Sequence, residues 1–126
     1  MKIIILLIML FFHIVDDYYL QGILAKLKQK SWWEENAPNK LYKHDYIVAL
    51  IEHAFSWTFM IMLPLIIYLI EIKELHYPFL ICFCINWLIH TIVDDLKANR
   101  YKINLIVDQT IHIIQIIITW FALVIL

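Results

Sequence analysis

Four long apolar segments, separated by shorter polar ones, make up most of this chain. They cover residues 3–25, 46–70, 77–96 and 103–126. Each is close to the roughly 20 residues with which a helix crosses a bilayer. Membrane β-strands would instead alternate in polarity over about ten residues. The pattern therefore predicts an all-α fold, an integral membrane four-helix bundle that forms a single transmembrane domain over residues 1–126.

Composition supports the same class. Of the 126 residues 63% are hydrophobic, and only one is glycine. This is more apolar material than a soluble domain needs to fill one core. Lys2 and the apolar residues 3–12 imitate a signal peptide, but no small-residue cleavage site follows them. We expect a retained first span and a multi-pass protein of the cell membrane, with the lipid bilayer as its partner.

The basic residues are unevenly distributed between the loops. Eight of the ten lysines and arginines fall in residues 26–45 and 97–102. Loops rich in lysine and arginine stay on the cytoplasmic side of a membrane. The sequence therefore predicts that both of these loops are cytoplasmic, and that both termini and the turn at residues 71–76 lie outside.

Histidines and aspartates interrupt the apolar segments in a regular way. Three pairs are spaced four residues apart, and a single histidine joins them from the second segment: His13/Asp17, His90/Asp94, Asp108/His112 and His53. Residues four apart lie on one face of a helix. A carboxylate at bilayer depth costs roughly 2.5–3.5 kcal/mol on insertion scales, so three of them predict a cationic partner inside the bundle.

These polar groups also share one depth. Asp17, His53, His90 and His112 are each seven to ten residues from a lysine in a predicted cytoplasmic loop. At about 1.5 Å per residue, all four lie roughly 10–15 Å below those charges. We expect the four helices to bring them to one layer in the cytoplasmic half of the membrane.

The donor set indicates a metal site. Four imidazoles and three carboxylates can hold one or two divalent cations, with zinc favoured and manganese or iron as alternatives. Gln21 and Asn86 are predicted to orient ligands beside the metal. Glu52, next to His53, is a candidate general base, and Lys97 is a candidate for binding a small anionic substrate. Together they predict a metal-dependent hydrolase of a phosphate ester or polar headgroup at the cytoplasmic face.

Two other functions fit the same residues. They could line a pathway for ions or protons, or form the structural polar core of a non-catalytic membrane or phage accessory protein. The chain has no Gly-rich phosphate loop and no long basic run, so nucleic acid is not an expected partner. Association into a homo-oligomer stays open.

Three short motifs carry a resemblance. The segments HIVDDYYLQ at residues 13–21, HTIVDDLK at 90–97 and DQTIH at 108–112 resemble the domain-of-unknown-function-3307 family (DUF3307), small multi-span membrane proteins of bacteria and their phages. The likeness covers the first, third and fourth spans, and the second span, with HAFSW at 53–57, is a looser match. It implies the membrane fold and the His/Asp site, and it names no reaction. The polar helices are also similar in pattern to metal-dependent hydrolases of the inner membrane.

Overall fold

The computed structural model describes residues 1–72 and 77–126, and every regular element in them is helical. Four helices are long and apolar enough to cross a membrane, which confirms the predicted helical class. The outer turn predicted at residues 71–76 falls largely outside the described residues. The placement of the two termini stays a prediction.

The helices differ from the predicted spans mainly at their ends. In chain order the elements are α1 (Lys2–Val15) with a π-helical turn (Asp16–Leu20), α2 (Leu24–Leu27), α3 (Lys30–Asn36), a 3₁₀ turn (Lys40–Tyr42), α4 (Asp45–Ile72), α5 (Tyr77–Ala98), and α6 (Leu105–Trp120) with a second π-helical turn (Phe121–Ile125). The first helix thus ends five residues earlier than predicted, and the first loop contains two short helices.

Local chemistry explains the helix ends near the first and third loops. Gly22 has a φ of +49°, a left-handed conformation that glycine adopts without the penalty of a side chain. It turns the chain after the first helix and lets α2 fold back on the bundle. At the other loop, the side chain of Asn104 accepts a hydrogen bond of 3.0 Å from the backbone N–H of Val107. This cap fixes the start of α6 at Leu105.

The four long helices form a closed ring. Helix α1 packs against α4 and α6, and α5 packs against the same two helices from the opposite side. The short helices α2 and α3 lie against α4. Loop residues are therefore brought over one end of the bundle, beside the ends of α4 and α5.

The bundle is apolar outside and polar inside. Each long helix exposes large apolar side chains, among them Phe11, Ile67, Leu88 and Ile118, while four aspartates and four histidines are buried. A contiguous apolar exterior of this extent is unfavourable in water and suits contact with lipid. The distribution supports the interpretation that these helices lie in a membrane.

The interior has an apolar half and a polar half. The apolar half is closed by buried side chains from all four long helices: Ile5, Met9, Trp57, Ile61, Met62, Leu65, Leu69, Phe79, Ile116 and Val124. Trp57 marks the boundary, because its ring also contacts the histidines of the polar half. Helix packing thus seals one end of the bundle and leaves the polar groups at the end that carries the loops.

Candidate metal centre

Six of the seven residues predicted as ligands converge on one buried cluster. They come from the π-helical turn and from all three remaining long helices: Asp17, His53, His90, Asp94, Asp108 and His112. None of them is more than 6% exposed. Helices far apart in sequence therefore deliver nitrogen and oxygen donors to one point, as the shared depth predicts.

The first half of the cluster surrounds His53. Its Nε2 atom lies 3.4 Å from Asp17 Oδ1, 3.3 Å from Asp94 Oδ2 and 3.4 Å from His90 Nε2. Four ligands bonded tetrahedrally to zinc at 2.0–2.1 Å lie about 3.3–3.4 Å from one another. Asp17, His53 and His90 each offer one atom that lies within 4.8 Å of the other two, so these three side chains could hold one ion.

The second half of the cluster surrounds His112. Its Nε2 atom lies 3.4 Å from Asp108 Oδ1 and 3.7 Å from Asp94 Oδ1. All three atoms are buried and have no hydrogen-bond partner. Buried polar atoms are normally paired, so an unpaired imidazole nitrogen with an unpaired carboxylate oxygen on each side is a candidate position for a cation. Asp94 belongs to both halves, since its second oxygen faces His53.

The π-helical turn brings two consecutive aspartates inside. In a regular α-helix, neighbouring side chains point about 100° apart, but both Asp16 and Asp17 are buried here. Asp17 faces His53, while Asp16 Oδ1 accepts a hydrogen bond of 2.7 Å from Ser56 Oγ. Such wider turns recur at functional sites. Asp16 and Ser56 thus add a further polar pair beside the cluster.

Two lysines also reach the aspartates. Lys28 Nζ lies 2.6 Å from Asp94 Oδ2, and Lys97 Nζ lies 2.6 Å from Asp108 Oδ2. The sequence predicts Lys97 at the site, whereas it places Lys28 only in the basic cytoplasmic loop. It is instead 6% exposed, because α2 folds back over the end of the bundle. Nothing in the sequence pattern of the loop distinguishes it from the neighbouring lysines.

His13 lies beside the cluster and is bonded differently from a ligand. Trp57 Nε1 donates to His13 Nδ1 at 2.8 Å, and His13 Nε2 lies 3.1 Å from Gln109 Oε1. An indole N–H can only donate. Nδ1 is therefore the acceptor, and Nε2 carries the proton that is donated to Gln109. Both ring nitrogens are engaged, and His13 belongs to none of the potential ligand groups in the described residues; its role as a metal ligand stays a prediction.

The amides predicted to orient ligands occupy two separate places. Gln21 Nε2 donates to the backbone carbonyl of Asp17. Asn86 acts at a distance: Gln115 Nε2 lies 3.2 Å from Asn86 Oδ1, and Gln115 Oε1 lies 3.0 Å from His112 Nδ1. A partner on the second nitrogen fixes which imidazole nitrogen is free to bind a metal. His112 thus has the support that a ligating histidine needs.

Aromatic stacking fixes the orientation of two histidine rings. Trp57 stacks on His90 with ring centroids 4.2 Å apart, and His90 stacks on His112 at 4.1 Å. The rings form a short column through the centre of the bundle. Rotation of either imidazole would break this packing, so the column holds both Nε2 atoms toward the carboxylates.

Glu52 is not brought to the cluster. It lies on an exposed part of α4 and belongs to none of the potential ligand groups in the described residues. Its neighbour His53 is fully buried, because adjacent residues on a helix face different directions. The proposed roles of Glu52 as a base and of Lys97 as a substrate-binding group stay predictions.

The sequence profile of a family described as "Protein of unknown function (DUF3307)" matches residues 5–126. The chain belongs to the DUF3307 family. No curated protein and no solved structure matches it significantly. The resemblance predicted from the three motifs is therefore confirmed, and in this DUF3307 protein those motifs supply five of the six clustered residues.

Proposed function

We propose that this DUF3307 protein binds one or two divalent cations, preferentially zinc, inside its helix bundle. The main support for this proposal is the difference between the lysine contacts and the histidine contacts to Asp94 and Asp108. The lysine contacts are 2.6 Å long, whereas the shortest imidazole contact to Asp94 is 3.3 Å. The imidazole nitrogens thus lie beside the carboxylates at distances longer than a normal hydrogen bond.

This contrast separates a metal site from a merely structural polar core. Hydrogen bonds from N–H to oxygen normally measure 2.7–3.2 Å. If His53 and His112 served only to pair with Asp17 and Asp108, those contacts would fall in that range, but each is 3.4 Å. The longer separation is the edge length of a zinc coordination sphere. It supports binding of an ion between the side chains.

We propose hydrolysis of a phosphate ester or polar headgroup as the activity of this site. A bound divalent cation supplies water activation and polarises a phosphoryl oxygen. Lys97 adds a positive charge at the loop end of the bundle, where 26% of its side chain is exposed, and Asp108 holds its ammonium in place. That charge can meet an anionic substrate arriving from the side on which the loops lie.

Transport of ions or protons is the second candidate, and the apolar half of the bundle argues against it. In the described parts of residues 1–12, 59–85 and 120–126, every buried side chain is apolar. A conduit needs polar groups or water along its whole length. The polar network ends near the middle of the bundle, which favours a site open to one side.

Elemental analysis of the protein purified in detergent tests the proposal. We expect wild type to retain one or two equivalents of zinc, and His112→Ala to lose at least one. His44→Ala is the matched control, because His44 is exposed in the first loop and its loss should change nothing. Wild type that takes up no zinc, manganese or iron would refute metal binding.

A separate assay addresses the reaction. The zinc-loaded protein is incubated with para-nitrophenyl phosphate and, in parallel, with vesicles that contain phosphatidic acid. Release of phosphate that disappears in His112→Ala supports hydrolysis. A zinc-loaded protein that releases no phosphate from either probe rejects phosphate-ester hydrolysis and leaves metal binding intact.

A further inference from the structure

We infer that Gln109 is a positioning residue that aims two carboxylates of the cluster at once, an inference that rests on the proposed metal site. Its side-chain Nε2 donates to Asp17 Oδ2 at 2.8 Å and to Asp108 Oδ2 at 3.0 Å. These aspartates come from the first and the last long helices. A single amide therefore joins the two halves of the cluster.

The hydrogen bonds from Gln109 decide which oxygen of each aspartate stays free. With Oδ2 engaged, Asp17 presents Oδ1 to His53 Nε2 at 3.4 Å. In the same way Asp108 presents Oδ1 to His112 Nε2, also at 3.4 Å. Each carboxylate thus offers one oxygen to an ion, and its other oxygen is fixed by the amide. Without Gln109, the Asp17 carboxylate could rotate, and Asp108 Oδ2 would keep only its contact with Lys97.

A directed chain of hydrogen bonds fixes the orientation of the Gln109 amide. Trp57 donates to His13, and His13 donates to Gln109 Oε1. The amide NH₂ must then face the two carboxylates, which only accept when ionised. A reversed amide would place Oε1 between two negative oxygens and an N–H against an N–H. Trp57 and His13 therefore set the direction in which Gln109 donates.

The same chain gives His13 a role different from ligation. The His13 imidazole accepts a hydrogen bond from Trp57 and donates one to Gln109. It therefore has no free lone pair for an ion. His13 and Gln109 should therefore act as one unit. Loss of either would release the same two carboxylates, and loss of both should cost little more than loss of one.

Zinc affinity measured by competition with a chelator tests this inference. Gln109→Met keeps the length of the side chain and removes both donors. We expect zinc affinity to fall about 10- to 100-fold, the usual effect of losing a group that orients metal ligands. Gln29→Met is the matched control, because the Gln29 amide bonds only to the carbonyl of Ala25 on the exposed surface, and it should bind zinc like wild type.

A spectroscopic readout separates positioning from general weakening of the fold. We expect the visible absorption of Co²⁺ bound to Gln109→Met to change in intensity and position, because freed carboxylates change the coordination geometry. Trp57→Phe provides a second variant that keeps a smaller aromatic ring beside His90 and removes the indole N–H. It should also weaken zinc binding, and it tests the positioning role of Gln109 if Gln109→Met does not fold.

A double-mutant cycle with His13→Leu distinguishes an effect of His13 through Gln109 from direct ligation of the metal by His13. If His13 acts through Gln109, the double variant should bind zinc about as well as Gln109→Met alone. Additive losses of zinc affinity would show that His13 is a ligand and would refute its role in orienting Gln109. Zinc affinity and Co²⁺ spectra unchanged in both Gln109→Met and Trp57→Phe would overturn the positioning role, whereas a wild type that binds no metal would refute the proposed function itself.

Discussion

Asp94→Asn is the sharpest test of the centre of the cluster. Asp94 is fully buried, and Oδ2 lies 2.6 Å from the ammonium of Lys28, which is itself buried. Asparagine keeps the size of the side chain and removes its charge, so Lys28 is left without its nearest counter-charge. Removing one partner of a buried ion pair typically costs about 3–5 kcal/mol. We expect a loss of that order in the unfolding free energy of the metal-free protein.

A second substitution separates this cost from the loss of metal. Lys28→Met combined with Asp94→Asn removes the pair as a whole, and replacement of a buried pair by apolar or neutral groups is often neutral. The double variant should therefore regain most of the stability lost in Asp94→Asn. It should still fail to bind zinc, because the charged carboxylate that offers one oxygen to each half of the cluster is gone.

The measurements are reversible unfolding in mixed detergent micelles and zinc content by elemental analysis. Asp95→Asn is the control one residue away: Asp95 pairs with Arg100 on the surface, and exposed pairs contribute about 0–1 kcal/mol. If Asp94→Asn unfolds like wild type and retains its zinc, the central role of Asp94 is wrong.

Three further outcomes are expected. Zinc should be retained less well at pH 5 than at pH 8, because protons compete with the metal for the imidazole nitrogens; dialysis against buffered chelator at pH 5 and pH 8 measures this, and equal retention at both would contradict it. Purified protein in liposomes should move neither protons nor cations, and a flux abolished by His112→Ala would favour transport instead. Reporter fusions should place both termini outside; a cytoplasmic C-terminus would reverse the predicted orientation.

Periodicity and depth were enough to predict the helices and the place where six ligand candidates meet. Residues four apart must share a helical face, so the pairs His90/Asp94 and Asp108/His112 could be expected to converge. The pattern does not specify atoms. It therefore predicts His13 as a ligand like the others and does not indicate that its ring nitrogens contact Trp57 and Gln109.

The groups that sequence reasoning missed depend on long-range folding. Lys28 reaches Asp94, 66 positions away in the chain, only because the first loop turns back on the bundle. Gln109 stands beside Asp108 within a recognised motif, but its second carboxylate partner is 92 positions distant. A helical pattern reports which side of its own helix a residue occupies. It does not report which side chains another helix places opposite.

Charge balance gives a reason for both lysines and metal at this site. Four aspartates are buried, Asp16, Asp17, Asp94 and Asp108, and the ammonium groups of Lys28 and Lys97 contact two of them, Asp94 and Asp108. With neutral histidines, two negative charges are left uncompensated in a low-dielectric interior, where an unpaired charge is costly. One divalent cation balances them. The lysines contact Oδ2 of Asp94 and of Asp108, and Oδ1 of each carboxylate faces His112.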